Sequence, residues 1–299
     1  MSDIKALITK LYAAFLGQFT GVVVVTPYAG CLSEFVRDFK ADIVMVDEAC
    51  RMDKADILMI VRHHDPGLFM VVGDPRQPGP FVHENHGNIV TNPFKEIMER
   101  SPLERALSYG VVVKAQLAWN HRGKGSLACL ASELFYRHSM LCAEGKDAWP
   151  PEMLAWHEWL KRHCPSLIDG SQHILVELQG AAVEKLGTSS FNMAHVQHVC
   201  ALVVLVVAAI TEGNLRGLDG KQKSILVATF YKAQQARYME AFDNMVSAKT
   251  LTREQRRLVN VRTVEGAQGF AADLVIVDFV NSTSPGFTVP KLQKTRPPT

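Results

Sequence analysis

The sequence predicts an α/β fold built on parallel sheets, and three observations predict it. Short runs rich in valine and isoleucine recur along the 299 residues. The runs do not alternate apolar with polar side chains. Strands apolar on both faces belong to parallel sheets covered by helices on each side. Segments with helical patterning lie between the runs, and strand alternating with helix defines the α/β class.

In chain order the predicted strands are 22–27 (VVVVTP), 42–49 (DIVMVDEA), 68–75 (LFMVVGDP) and 111–117 (VVVKAQL). They continue at 173–178 (HILVEL), 224–231 (SILVATFY), 258–264 (LVNVRTV) and 273–280 (DLVIVDFV). Helices are predicted at 127–136, 191–210 and 233–248, where apolar residues recur at helical spacing. The run Val199–Ile210 is too short to span a bilayer, which needs about 20 residues, so it reads as a buried helix. The segment 139–172 breaks the rhythm with Trp149, Trp156 and Trp159 among Pro150, Pro151 and Pro165. It is expected to be an irregular excursion or small helical insertion. Trp156 and Trp159 stand at helical spacing and read as core rather than as stacking platforms for bases. These features divide the chain into a domain at 1–110, a second at 111–287 and a tail at 288–299. The tail is basic and proline-rich and is expected to be disordered.

The bulk composition sets outer limits. Hydrophobic content of 47% and charged content of 21% are those of a globular chain. A net charge of +2 neither demands nor excludes a nucleic-acid partner, because a basic groove can hide in a balanced total. Cys31, Cys50, Cys129, Cys142, Cys164 and Cys200 are scattered with no CxxC pair. Free thiols in a reducing compartment, nucleus or cytoplasm, fit them better than disulfides or zinc. No secretory signal pattern opens the sequence, and no membrane partner is expected. His63-His64-Asp65 and His83-Glu84-Asn85-His86 match no metal-ligand spacing and are expected in loops. Arg253, Arg256 and Arg257 read as a solvated helix face rather than a phosphate contact.

The chemistry gathers at strand ends. In open α/β sheets, ligands bind beyond the carboxyl ends of the strands. The second run ends in Asp47-Glu48-Ala49. One carboxylate there can hold a hydrated magnesium ion, and the next can position or deprotonate a water. The third run ends in Gly73-Asp74-Pro75-Arg76-Gln77. A turn explains Gly73 and Pro75, but not Gln77 or the neighbouring run that also ends in acids.

These residues carry a resemblance. VMVDEAC followed by VVGDPRQPGP resembles motifs II and III of superfamily 1 helicases, an apolar run into DEA(A/S) and then GD-x-x-Q-L-x-P. LAWNHRGKGSLACLASELFY, 117–136, resembles the L-x-x-x-Y-R segment that opens their second RecA-like domain. SSFNMAHVQHV, 189–199, resembles S-x-x-N-x-x-E-A, and ILVATFYKAQQARYMEAF, 225–242, resembles I-x-T-P-Y-x-x-Q. VRTVEGAQGFAADLVIVDFVNST, 261–283, resembles motif V, T-V-D-x-x-Q-G-x-E-x-D-x-V-I. Order and spacing are similar to the group containing senataxin and the nonsense-mediated-decay helicase, over roughly residues 20–283.

The resemblance implies two RecA-like parallel-sheet domains of the P-loop NTPase type, the first incomplete. It implies ATP and Mg as cofactors, and single-stranded RNA or DNA as the partner of a 5′ to 3′ translocating parent. Residue by residue, it implies that Asp47 binds magnesium, Glu48 activates water, and Gln77 with Asp74 senses the γ-phosphate. Arg122 would contact that phosphate from the second domain. Gln268 and Gly269 would lie where nucleotide state meets the nucleic-acid path. Thr26, Thr229 and Thr263, at strand ends, would contact the nucleic-acid backbone.

The pattern also breaks. Phosphate binding in this family uses G-x-x-x-x-G-K-(S/T), whose amides and lysine hold the phosphates. Gly123-Lys124, Gly145-Lys146 and Gly220-Lys221 all lack the earlier glycine and the following Ser/Thr. The chain is therefore expected to begin downstream of that loop. It is also expected to lack motif VI, for which Arg296 in its proline-rich context is no substitute. Ala271 and Phe270 replace the motif V glutamate and the arginine before it, and His195 replaces the glutamate of N-x-x-E-A. His121, Arg51 and Pro78 replace a tyrosine, a glutamine and a leucine. Charge-assisted hydrogen bonds are worth about 1.5–3 kcal/mol each, so lost anchors weaken nucleotide binding by several kcal/mol. The expectation is a truncated or degenerate helicase, inactive in isolation. The alternative is a non-catalytic module that binds nucleic acid or protein.

Overall fold

The computed structural model describes residues 2–80, 82, 92–110, 112–145, 147–164, 167, 170, 172–215 and 223–281. It divides into two units, Met1–Gln116 and Leu117–Thr299.

The first unit opens with helices α1 (Ser2–Leu16), α2 (Pro27–Gly30) and α3 (Ser33–Asp38), followed by strand β1 (Ile43–Val46). Helix α4 (Lys54–His63) then crosses to strand β2 (Leu68–Val71), and short helices α5 (Lys95–Met98) and α6 (Pro102–Tyr109) close the unit. Helix α4 starts where the Asp53 carboxylate accepts from the Asp56 amide, and it ends in Arg62 and His63 beside the carbonyl end of the helix dipole. Helix α6 is bounded by a Ser101 cap, Pro102 in its first turn and left-handed Gly110 after its last. Strands β1 and β2 pair in parallel, Ile43 beside Leu68 through Val46 beside Val71. One face of this pair carries Ile43, Met45, Leu68 and Met70, all exposed.

The second unit begins with the short parallel pair β3 (Trp119–Asn120) and β4 (Leu141–Cys142), with helix α7 (Cys129–Tyr136) between them. Helix α8 (Pro151–His163) and the antiparallel pair β5 (Glu184–Leu186) and β6 (Ser189–Phe191) follow. Then come helix α9 (Met193–Thr211), strand β7 (Ile225–Thr229), helices α10 (Lys232–Ser247) and α11 (Arg253–Arg257), and strands β8 (Val259–Thr263) and β9 (Leu274–Asp278). Strands β8, β7 and β9 form a parallel sheet in that order, so the chain crosses to opposite sides of β7. Every residue of β7 is buried, as the central strand of a covered parallel sheet must be.

The core packs Val203, Val206 and Val207 of α9 with Ile225 and Val227 of β7 and Tyr238 and Phe242 of α10. By length and composition α9 is apolar enough to cross a membrane, but its buried side chains belong to this core. The segment 139–172 holds a regular 13-residue helix, α8, where Pro151 starts the first turn. Its Trp159 is buried in the core and Trp156 packs against it.

Three strand expectations fail. Residues 22–25 are extended without pairing, and Val22 and Val24 face solvent. Residues 112–117 and 173–178 also form no strand, with Val113 and Leu175 exposed, while Val111 lies outside the described residues. A strand needs a neighbour for its main-chain polar groups, and no described strand pairs with these runs. Residues 288–299, including Arg296, also lie outside the described residues.

Candidate functional site at the strand carboxyl ends

In the first unit, two strand ends pack onto each other. Pairing continues past β2, where the Val72 amide donates to the Val46 carbonyl and the Ala49 amide donates to the Val72 carbonyl. Ala49 and Cys50 are buried beneath this crossing. A Cβ on Gly73 would lie 3.0 Å from Cys50 Sγ and 3.1 Å from the main-chain nitrogens of Ala49 and Cys50. A side chain here would force these neighbours to give by a few tenths of an ångström. The acids therefore share one edge. Asp47 and Glu48 leave β1, and Asp74 leaves β2 one residue after Gly73. The Cys50 thiol registers this: burial, then the Asp74 and Glu48 carboxylates, push it up to about 12.

Asp47 Oδ1 accepts from the Glu48 amide at 2.9 Å. Glu48 is exposed and sits in the left-handed region, with φ of 52°. A non-glycine residue held there costs on the order of 1–3 kcal/mol, and such strain concentrates at functional sites. Asp74 folds the next turn: its carboxylate accepts from the Arg76 amide and its carbonyl from the Gln77 amide. Gln77 is exposed on that turn.

Arg122 lies in the second unit, just after β3. The Asn120 side-chain oxygen accepts from both the Arg122 amide (2.9 Å) and the Gly123 amide (2.8 Å). Two amides of the HRGK turn, those of Arg122 and Gly123, are thus already occupied, and the Lys124 ammonium pairs with Glu144. This turn is no phosphate cradle. Lys146, Gly220 and Lys221 of the other two GK pairs lie outside the described residues.

The three-stranded sheet ends at one level, with Thr229 beside both Thr263 and Asp278. Thr263 Oγ1 accepts from the Gly266 amide at 3.1 Å and shapes the turn that leads to Gln268. Gly269, exposed with φ of 76°, follows it. Thr229 is fully buried, and its hydroxyl has no partner among the described residues. It cannot touch a ligand from that position. Thr26 is not at a strand end, because its run forms no strand. Its hydroxyl instead accepts from the Ala29 amide and caps α2.

The most elaborate feature here centres on a residue that sequence reasoning missed, Asp278. Its carboxylate is buried and accepts four hydrogen bonds: His195 Nδ1 (2.7 Å), the Val280 amide (2.8 Å), Gln234 Nε2 (2.7 Å) and Tyr238 Oη (2.8 Å). Gln234 also pairs with the main chain of Asn192 in both directions, and Asn192 caps α9. The network ties the start of α9 and the first turns of α10 to the end of β9. Burial and the Asp278 charge raise the Tyr238 hydroxyl well above the usual phenol range. The motifs hold Asn192 and Gln234, but nothing in the sequence joins them to an aspartate about ninety residues away from the first.

Among the described residues, no group of three His, Cys, Asp or Glu side chains is arranged to hold a metal. His64 is buried with Nε2 2.8 Å from the Gly30 carbonyl, and 83–86 lie outside the described residues. Magnesium bound with a phosphate substrate needs only one or two protein carboxylates, and Asp47 with its neighbours fits that requirement. Arg256 donates to Asp243 and to the Val259 carbonyl, which is a structural role. All six cysteines are free thiols.

The family model AAA_12, an AAA domain, matches residues 98–294. The 5′-3′ DNA helicase ZGRF1 of Mus musculus is 23% identical over 268 residues, covering 87% of this chain. The chain spans only 12% of that relative's length. The model's match covers well over half of the sequence, and the chain belongs to the AAA_12 family of AAA domains, with a superfamily 1 helicase-like region.

Proposed function

We propose that this chain is part of a superfamily 1 helicase motor that engages single-stranded nucleic acid but does not turn over ATP alone. The observation that carries the reading is the packed crossing of β1 and β2. It brings Asp47 and Glu48 beside Asp74 and the Gln77 turn, with Glu48 strained and exposed. In the proposed roles, Asp47 holds a phosphate-bound magnesium, Glu48 orients the attacking water, and Asp74 with Gln77 senses the terminal phosphate. Arg122, Gln268, Gly269 and Thr263 of the second unit contribute phosphate and nucleic-acid contacts.

The two units are the two RecA-like domains, the first incomplete, with a boundary near 110. The exposed apolar face of the β1–β2 pair supports incompleteness, because parallel sheets are covered on both faces. No phosphate-binding loop occurs in the 299 residues, so hydrolysis requires one from elsewhere. The relative is named as a DNA helicase, which makes single-stranded DNA the first substrate to test, ahead of RNA. Six free thiols support an intracellular location.

One observation favours the rival reading, a non-catalytic binding module: the Arg122 and Gly123 amides of the HRGK turn are both bonded to Asn120. Titrating the purified chain with single-stranded DNA tests the proposal. We expect salt-dependent binding; binding that ATP and magnesium leave unchanged would favour the rival module. Failure to bind DNA or RNA at low salt would overturn the reading.

A further inference from the structure

The carboxyl edge of the three-stranded sheet carries a second pattern that the motif roles do not use. Phe230 follows Thr229 at the end of β7, and Phe279 follows Asp278 at the end of β9. Because β7 and β9 are in register there, the rings meet. Their centroids are 5.4 Å apart and their planes 24° from parallel. Phe279 is 56% exposed, so its ring is open to solvent at the carboxyl edge. On β8, the strand on the other side of β7, Arg262 stacks its guanidinium over Phe270, 4.6 Å from the ring centroid. Lys232 is exposed two residues after Phe230. Rings and cations thus share one edge, across strands spaced about 4.8 Å apart.

The backbone beneath is rigid. Asp278 is locked by its four hydrogen bonds, the Asn281 main-chain amide donates to the Phe279 carbonyl, and Asn281 Nδ2 donates to Tyr231 Oη at 2.7 Å. Phe279 is therefore displayed from a fixed point, between Asp278 and buried Val280. Aromatic faces displayed beside cations bind bases of single strands, because every base has a π-face and the backbone is anionic. A protein partner's apolar side chain would have no need of flanking cations.

We infer that the Phe230–Phe279 pair is a stacking platform for one base of a single-stranded nucleic acid, with Lys232 and Arg262 attracting the flanking phosphates. This rests on the nucleic-acid reading proposed above and assigns residues to it. The platform contributes base stacking rather than sequence readout, so its preference among bases is weak.

The test uses the full chain and a fluorescently labelled single-stranded 12-mer of mixed sequence, alongside a 12-mer of abasic sites. Phe279→Ala should weaken binding to the normal strand about tenfold, within the ~1–3 kcal/mol that alanine substitution of a stacking aromatic costs. Its affinity for the abasic strand should be unchanged, and Phe279→Trp should restore normal binding. The urea midpoint of Phe279→Ala, an exposed site, reports that folding is intact. If the wild-type chain binds and both Phe279→Ala and Phe230→Ala bind the normal strand as well as it does, the platform is refuted while the broader reading stands. Equal losses on normal and abasic strands would also refute it. No binding by the wild-type chain overturns both.

Discussion

Replacing Asp278 by alanine should cost about 3–5 kcal/mol of folding stability. The substitution removes one buried carboxylate and leaves four donors facing a methyl group: the His195 ring, the Val280 amide, the Gln234 amide and the Tyr238 hydroxyl. Gln234 and Tyr238 are fully buried, so water does not replace the lost acceptor without opening the core. An unsatisfied buried polar group costs about 1–3 kcal/mol. The four losses do not simply add, since Gln234 keeps its bonds to Asn192. The cost of breaking a buried, paired charge, about 3–5 kcal/mol, is the better guide. Against a typical total of about 5–15 kcal/mol, the variant is close to unfolding. Asp278→Asn keeps the shape and half of the acceptors and should cost less. Urea unfolding followed by circular dichroism measures both, and at about 2 kcal/mol per molar urea the alanine midpoint falls by about 2 M. The same geometry predicts that His195→Glu, which restores the glutamate of the family motif, sets two carboxylates against each other. That loss should shrink in combination with Asp278→Asn. An alanine variant within 1 kcal/mol of wild type would refute the network's role.

Two further predictions concern other parts of the fold. Gly73→Ala should destabilise the first unit by about 2 kcal/mol, the usual scale of overpacking, because its Cβ would lie 3.1 Å from main-chain nitrogens that must shift to admit it; urea unfolding measures it. Lys223 is buried, with Nζ 4.6 Å from the Trp156 ring centroid and no hydrogen-bond partner among the described residues. Burial lowers its ammonium to about 8, against the opposing pull of Asp273 and Glu152. The unfolded chain keeps that proton up to its ordinary 10.5, so the wild-type protein gains stability as pH rises from about 8 to 10.5. Lys223→Met should therefore be more stable at pH 7, by on the order of 2 kcal/mol, with the difference vanishing near pH 10.5. A pH-independent difference would contradict the assignment.

The strands at 43–46, 68–71, 225–229 and 274–278 were legible because each is apolar on both faces and ends in polar residues, whereas 259–263 alternates valines with Asn260 and Arg262. The run at 22–25 is as apolar as any of them, yet it forms no strand. Composition describes one segment, whereas pairing requires two. At the site, the closeness of Asp47, Glu48 and Asp74 was legible because adjacent strands in the sequence both end in acids. The crossing that fixes it needed Gly73 and Cys50 in space. Asp278 was illegible. It stands inside the predicted strand 273–280 with no role attached to it, and its burial depends on His195, Gln234 and Tyr238, which reach it from 83, 44 and 40 residues away. Thr229 shows the converse: a residue type suited to contacting phosphates is sealed inside the sheet.

In the proposed function the chain carries the acids of a nucleotide site without a phosphate-binding loop in its 299 residues. The most direct measurement is steady-state ATP turnover by the purified 299-residue chain, with magnesium and saturating single-stranded DNA, beside a Glu48→Gln variant. The account predicts no turnover above background in either protein. Turnover by the wild-type chain that Glu48→Gln abolishes would contradict it, because these residues would then hold and hydrolyse the nucleotide unaided.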